Sequence, residues 1–438
     1  MATPETTIAE SAPALPKQGP RTILAASAVG TVIEYFELTA YTFLLVYFAP
    51  LFFPSDNAAA STLSAVATLG VAYVVRPFAA VMWGWIADKK GRRTVLVATI
   101  VLMGIASLGM GLLPTFSQIG LAAPILLVLL RACKGISAAG EGTTAAAYVI
   151  ESSPPKRRGR FGSIVPAFSL VGYGLGALVA GLLTFTLTPA QMSEFGWRVP
   201  FVVCSLLTIV VLYMRRRLEE SPEFTAIEST DDVAKSPFME TIRLHWRAVL
   251  KAMAITVGSF APVFVLLIFI VGLLIQTRQI PATVVFVMMG LGLLWGAVTG
   301  IIGGILADRF GRRPVVIVTT IGLIVSAVPM LMVLSQTSSL PAIAGALFVL
   351  FTLQGPLYGV AFTLLSEWFP AKVRATGTAL GANIGAAIAG GVAPVLTLQL
   401  TAWTGSNTSP AFWIILTSAV LLVVTCFSRE TRNLPLPR

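Results

Sequence analysis

What this sequence has least of is charge. Lys, Arg, Asp and Glu make up 11% of its 438 residues, where soluble domains carry roughly 25%. Hydrophobic residues make up 56%. That balance excludes a water-soluble globule and makes lipid the solvent. Histidine occurs once, at His245, in a polar stretch just before an apolar run, and reads as interfacial. Cysteine occurs three times, at Cys133, Cys204 and Cys426, each inside an apolar stretch and none in a CxxC. Such residues are small packing groups, so redox and zinc chemistry have no ligand set. No nucleophile–base pair and no phosphate-binding loop stand out, so the sequence does not read as an enzyme and implies no cofactor beyond a proton gradient. The first residues are rich in Pro, Ala and Thr, without a basic segment followed by a cleavage site. They read as a disordered cytoplasmic tail over 1–21 rather than a signal peptide.

What is present is a series of apolar runs of the ~20 residues that cross a hydrocarbon core. They predict helices near 22–49, 60–86, 94–113, 121–150, 160–187 and 196–214. A polar linker follows at 217–247, and then helices near 249–276, 281–306, 314–335, 340–368, 375–402 and 409–428. The expected fold is therefore an all-α membrane protein of two six-helix bundles, 22–216 and 248–428, with a short tail at 429–438. With the N-terminus placed inside, 25 of the 30 Lys and Arg residues fall on the cytoplasmic side, as the positive-inside rule requires. Both termini are then cytoplasmic, and the net charge of +11 is a topology signal. It is spread over short loops rather than along one stripe, so it does not indicate nucleic-acid binding.

The two halves repeat. Gly84-Trp85-Ile86-Ala87-Asp88-Lys89-Lys90-Gly91-Arg92-Arg93 follows the second helix, and Gly304-Ile305-Leu306-Ala307-Asp308-Arg309-Phe310-Gly311-Arg312-Arg313 follows the eighth, at an offset of 220. Glu151, Pro154, Lys156 and Arg158 after helix 4 match Glu367, Pro370, Lys372 and Arg374 after helix 10, at an offset of 216. Two motifs repeating in order point to duplicated halves. Gly84, Gly91 and Gly311 permit close helix ends and tight turns. Asp88 and Asp308 suit the N-terminus of a neighbouring helix. Arg92 and Arg312 suit fork-like pairs with Glu151 and Glu367. These groups, with Arg374, are expected to latch the cytoplasmic side.

Ionisable residues within spans are functional candidates by default. Here they are Glu34 and Glu37 on helix 1, Arg76 on helix 2, and Arg131, Lys134 and Glu141 on helix 4, all in the N-terminal half. At ~1.5 Å per residue from the cytoplasmic end, Glu37, Lys134 and Arg131 form an upper layer near the bilayer centre. Glu34, Arg76 and Glu141 form a lower one. Neither base on helix 4 has a carboxylate three or four residues away, so their partners lie on other helices. A carboxylate paired with a base stays ionised and takes up a proton when the pair separates, which links proton binding to substrate binding. In the C-terminal half the candidate contacts are Trp295, Gln354, Tyr358 and Asn383, with Gly355-Pro356 expected to break helix 10 beside Gln354.

The two G-x-x-x-D-[RK]-x-G-R-[RK] loops resemble the signature of the major facilitator superfamily. Arg76-Pro77, Arg131-Ala132-Cys133-Lys134-Gly135-Ile136-Ser137, Gly140-Glu141, Tyr148, Arg157-Arg158-Gly159 and Gly196-Trp197-Arg198-Val199-Pro200-Phe201 resemble the metabolite:H⁺ symporter family within it. So do Arg374-Ala375-Thr376-Gly377, Asn383-Ile384-Gly385, Gly390-Gly391 and Ala393-Pro394. That family consists of proton-coupled importers of organic acids such as α-ketoglutarate, citrate and shikimate, and of zwitterions such as proline and betaine. The resemblance therefore implies twelve helices, a central site and alternating access in a cell inner membrane. Where the family's helix 1 usually reads Gly-Asn-x-x-Glu-Trp-Tyr-Asp-Phe, this chain has Gly30-Thr31-Val32-Ile33-Glu34-Tyr35-Phe36-Glu37-Leu38. Glu37 takes the place of the Asp and is the expected principal proton carrier, with Glu34 second. On helix 4 the usual Gln is Lys134, which adds a positive charge near the bilayer centre. The substrate expected from this surplus is a small mono- or dicarboxylate imported by a monomer. Lys134 and Arg131 would hold it, with Tyr35 and Tyr41 beside them. A proton-driven exporter, or an importer of a zwitterionic osmolyte, are the alternatives. The chain ends soon after helix 12, short of the long coiled-coil tail of the osmosensing members.

Overall fold

Apolar runs of this length become helices because nothing in the hydrocarbon core can satisfy a backbone N–H or C=O except the segment itself. The computed structural model describes residues 20–55, 58–221, 224–225, 228 and 236–437, and no strand occurs among them. Most of the expected N-terminal tail and part of the 217–247 linker lie outside the described residues. The first six long helices are α1 (Pro20–Phe52), α2 (Ala58–Lys90), α3 (Arg92–Leu112), α4 (Ala122–Glu151), α5 (Ile164–Thr186) and α6 (Val199–Arg216). The second six are α7 (Trp246–Phe264), α8 (Ala282–Phe310), α9 (Arg312–Gln336), α10 (Leu340–Glu367), α11 (Arg374–Ala386) and α12 (Pro410–Cys426). With their extensions, eleven are long and apolar enough to cross a membrane, and α12 is a shorter twelfth of 17 residues. A helix at Pro237–Leu244 leads into α7.

The pairing of helices repeats as the sequence does. In the first bundle α1 packs on α5, α4 on both α2 and α3, and α3 on α6. In the second, α7 packs on α11, α10 on both α8 and α9, and α9 on α12. The bundles meet along two symmetry-related seams, α5 against α8 and α2 against α11. At the second seam Gly84 lies so close to α11 that a Cβ would stand 2.6 Å from the Cα of Thr376. Outward faces carry exposed Phe78, Leu112, Phe185, Val325 and Trp403, the lipid-facing complement of a buried seam.

Two departures from the sequence reading concern the helices nearest the centre. Helix α10 runs unbroken through Pro356. The Thr299 hydroxyl of α8 donates to the Phe351 carbonyl at 3.3 Å, and Gly355 sits against Gly296 and Thr299, so α8 supports the weakened stretch. The irregular backbone lies elsewhere. Helix α7 passes into π-helical turns at Val265–Ile270 and Leu273–Thr277, just after Pro262. Helix α11 does so at Ala387–Val392, around Gly390 and Gly391, before resuming as Ala393–Thr404. Proline removes a rung of the hydrogen-bond ladder and glycine removes the Cβ that would resist rewinding.

Candidate functional site

The short turns after α2 and α8 share one construction. Gly91 and Gly311 hold φ of 90° and 106°, a left-handed region open to glycine at little cost, and the next helix starts at the following residue. Its first N–H groups are capped from a distance. Glu220 accepts from Arg92 N at 2.7 Å and Arg93 N at 3.2 Å. Glu430 accepts from Arg312 N at 2.9 Å and Arg313 N at 3.0 Å. Burial alone would raise both carboxyls. At Glu430 the backbone donors outweigh it and hold the group below the ordinary carboxylate range, whereas at Glu220 burial wins and lifts it. A depressed group contributes stability that is lost as pH falls through its folded value, and a raised one lets go earlier. On acidification the Arg92–Arg93 amides are therefore expected to lose hydrogen-exchange protection at a higher pH than the Arg312–Arg313 amides.

The expected latches are all brought together on this face. Asp88 accepts from Arg92 Nη1 at 2.9 Å, and caps α11 through Ala375 N at 3.2 Å, Thr376 N at 2.9 Å and the Thr376 hydroxyl at 2.6 Å. Asp308 repeats this from α8, accepting from Gly159 N and Arg160 N, both at 2.8 Å. Arg92 Nη2 lies 3.0 Å from Glu151 and Arg312 Nη2 lies 3.0 Å from Glu367. The pairs are single contacts rather than the expected forks, because Nη1 of each arginine turns to its own Asp. Glu151 also takes Arg374 Nη1 from the other bundle at 3.2 Å. The chain after α12 lies across the same face. Thr431 donates to Glu367 at 2.5 Å, the Leu434 carbonyl accepts from Arg158 at 3.0 Å, and the Pro437 carbonyl accepts from Arg374 at 3.0 Å. The bundles are thus tied together at the face that carries the basic loops.

Among the described residues, Glu151 alone lies within ion-pair distance of buried guanidiniums from both halves. Removing one partner of such a pair costs about 3–5 kcal/mol. Glu151→Gln is expected to open the basic face more than Glu367→Gln does, read as reactivity of a cysteine placed at Thr376 with a membrane-impermeant maleimide.

Above the latches, four helices of the first bundle carry the intramembrane charges. In the upper layer Lys134 Nζ on α4 lies 2.5 Å from Glu37 Oε2 on α1, and 2.9 Å from the Ser107 hydroxyl on α3. Ser107 also donates to Glu37 Oε2. Arg131 is buried with its guanidinium 4.0 Å from the centre of the Tyr41 ring, and no carboxylate of a described residue lies within ion-pair distance. Tyr41 is fixed in turn by the Thr68 hydroxyl at 2.6 Å. In the lower layer Arg76 Nη2 stands 3.7 Å from Glu34 Oε1, with its guanidinium 4.5 Å from the centre of the Tyr73 ring.

Glu141 does not join Arg76 and Glu34. It pairs with Arg215 of α6 and accepts from the Thr99 hydroxyl at 2.8 Å. Arg215, assigned to the cytoplasmic loops in the sequence reading, is fully buried. It stands at the end of an apolar run beside Arg216 and Arg217, so its sequence context matches that of a loop residue. Among the described residues above the latches, three carboxylates (Glu34, Glu37, Glu141) thus face four bases (Arg76, Arg131, Lys134, Arg215), and the surplus base is Arg131.

The residues expected from the second bundle divide. Asn383 Nδ2 reaches across the seam to the Ala139 carbonyl at 2.9 Å. Gln354 donates to the Ser259 carbonyl. Tyr358 packs on Phe260 at 4.6 Å, with its buried hydroxyl beside that of Tyr35 on α1. Trp295 donates to Thr352 at 2.8 Å and stacks on the half-exposed Phe348, which places it toward the outer side of the α8–α10 pair. Between the bundles lies a cavity of about 130 Å³. Tyr73, Tyr173, Phe43 and Phe264 line it, together with Ile268 of the first π-helical stretch of α7 and Gly390 and Gly391 of that in α11. Tyr35 meets Tyr173 edge-on at 4.7 Å. Sequence reasoning missed Ser107, Thr99, Arg215, Glu220 and Glu430. The one signal for the last two is a Glu-Ser and a Glu-Thr shortly after helices 6 and 12.

Two duplicated bundles, a seam latched at one face and a small cavity flanked by buried charges define a multi-pass membrane transporter. The Major Facilitator Superfamily profile matches residues 28–394 and 263–438, and the chain belongs to that superfamily. It is 31% identical over 432 residues to the proline/betaine transporter of Salmonella typhimurium, covering 95% of this chain and 85% of the relative. It is 30% identical over 432 residues to the proline/betaine transporter of Escherichia coli K12, with the same coverage. The resemblance to metabolite:H⁺ symporters stands with these matches. Among solved structures, it superposes on the proton:xylose symporter XylE bound to 6-bromo-6-deoxy-D-glucose with a TM-score of 0.76 at 15% identity, covering 95% of this chain and 97% of that one. On the partially occluded inward-open conformation of XylE the TM-score is 0.71 at 16% identity, covering 94% and 98%.

Proposed function

We propose that the protein is a proton-coupled symporter that carries a small carboxylate-bearing solute inward by alternating access. The observation that carries this reading is Arg131, a buried base without a carboxylate partner among the described residues, beside a Glu37–Lys134 pair that is already neutral. A lone charge at this depth costs at least ~2.5–3.5 kcal/mol on insertion scales, and a substrate carboxylate offsets it. Protonation of Glu37 weakens its hold on Lys134 and lets that ammonium join Arg131 on the substrate. Separation of the basic-face latches then releases both to the other side. The loop charges support a cytoplasmic basic face in a cell inner membrane, with both termini on that side.

The relatives, proline/betaine transporters, favour a zwitterion such as proline or betaine over the mono- or dicarboxylate expected from the sequence. The aromatic side chains of Tyr173, Phe43 and Phe264 around the cavity suit the positive end of such a molecule. Purified protein in liposomes, given an inward proton gradient and labelled proline, glycine betaine, α-ketoglutarate or citrate in turn, tests this. Uphill uptake of a zwitterion is the expected result. Accumulation of the organic acids alone would return the substrate to a carboxylate anion. Uptake indifferent to the gradient would remove proton coupling.

A further inference from the structure

We infer that Ser107 of α3 is a positioning residue that sets how readily the Glu37 site takes its proton. This rests on the reading of Glu37 as the proton carrier. The hydroxyl has one hydrogen and two acceptors in reach. They are Glu37 Oε2 and the Met103 carbonyl one turn back on its own helix, the latter at 2.8 Å. Its oxygen meanwhile accepts from Lys134 Nζ at 2.9 Å. The residue is fully buried, so no water competes for that hydrogen.

The two oxygens of Glu37 are not equivalent. Oε2 receives both Ser107 and Lys134, and Oε1 receives nothing. A proton arriving from the aqueous side opposite the latches lands on Oε1, the oxygen without donors. The neutral carboxyl is a weaker acceptor than the carboxylate. The Ser107 hydrogen then turns to the Met103 carbonyl, an i−4 back-bond already within reach. Lys134 keeps one partner in Ser107 Oγ and is free to turn its other N–H groups to a substrate carboxylate. Ser107 is satisfied in both protonation states without changing rotamer, so proton binding leaves no orphaned hydroxyl. Among the described residues, the charged and titratable groups facing this site are Lys134 and Arg131 from α4 and Cys204 from α6, with Glu34 one turn back along α1 and paired to Arg76. Of these, Lys134 alone donates to Glu37.

The test needs no substrate. In purified protein reconstituted in liposomes, the infrared carbonyl band of a protonated carboxyl is titrated against pH, and the component that Glu37→Gln removes belongs to Glu37. Ser107→Ala takes one of two donors from the ionised form and is expected to move the midpoint of that component to higher pH by about one unit. Ser107→Thr keeps the hydroxyl and is expected to return it to the parent value. A midpoint unmoved in Ser107→Ala, or moved equally by Ala and Thr, overturns the inference while leaving Glu37 as the carrier. If Glu37→Gln removes no titrating component, the carrier assignment fails and the role of Ser107 fails with it.

Discussion

Glu37→Gln is expected to abolish uphill, pH-driven uptake while leaving binding and counterflow exchange of the same solute. The amide keeps the shape of the carboxyl, so α1 still meets α3 and α4 at this point. It cannot take up or release a proton, and it is a weaker acceptor for Lys134 Nζ, which now stands 2.5 Å from Glu37 Oε2. The variant is therefore fixed in an analogue of the protonated state, the one in which Lys134 is available to substrate. Net accumulation needs the empty carrier to return with Glu37 ionised, and that step is lost. Exchange needs only the loaded form. The check is accumulation against the exchange rate in the same liposomes, and normal pH-driven accumulation by Glu37→Gln would move the carrier role elsewhere. Glu34→Gln is the comparison. Its partner Arg76 stands 3.7 Å away and is also held over Tyr73, so a smaller loss is expected.

The second large effect is on affinity. Arg131→Gln is expected to weaken binding of the transported solute well beyond tenfold, more than ~1.4 kcal/mol. Truncating one side of a buried hydrogen-bonded charge pair costs about 2–5 kcal/mol. Arg131→Lys is not expected to restore it. The guanidinium lies 4.0 Å from the Tyr41 ring centre, and an ammonium has neither a planar face to set against a ring nor the paired N–H groups that match a carboxylate. Lys134→Gln, expected from the sequence to act mainly through lost anion binding, acts twice in this geometry. It removes a substrate contact and leaves Glu37 with Ser107 as its one donor. Calorimetric titration of each variant separates the two bases. A tenfold or smaller loss in Arg131→Gln, with Lys134→Gln carrying the whole effect, would transfer the carboxylate site to Lys134.

Much of this was legible in the linear sequence, for identifiable reasons. Hydrocarbon forces each span to satisfy its own backbone, so length and composition alone mark the helices. The repeated loops marked the duplication, and the ion pairs at those loops followed from it. An Asp at a helix end, a Gly-Arg turn and a Glu after a later helix are local features whose partners the repeat itself supplies, and Arg92–Glu151 and Arg312–Glu367 stand 3.0 Å apart. Glu37 with Lys134 and Glu34 with Arg76 could be grouped by depth, because rise per residue is fixed.

Depth does not give azimuth, and there the sequence ended. Glu141 shares a layer with Arg76 by count, but it points instead at Arg215, which α6 brings in beneath Thr99. Serines are too common in apolar helices for Ser107 to stand out, and its role exists only where α1, α3 and α4 converge on one carboxylate. The helix irregularity expected at Pro356 went to α7 and α11, because α8 packs tightly enough on α10 to hold it straight. By itself the sequence determined that this chain spans a membrane as two repeated bundles, which face bears the basic loops, and which residues carry charge into the apolar interior. Only the tertiary structure decided which acid each base answers and which base is left over. A buried charge takes its partner from whatever neighbouring helix presents one within hydrogen-bond reach, and that is set by helix rotation and packing rather than by position along the chain.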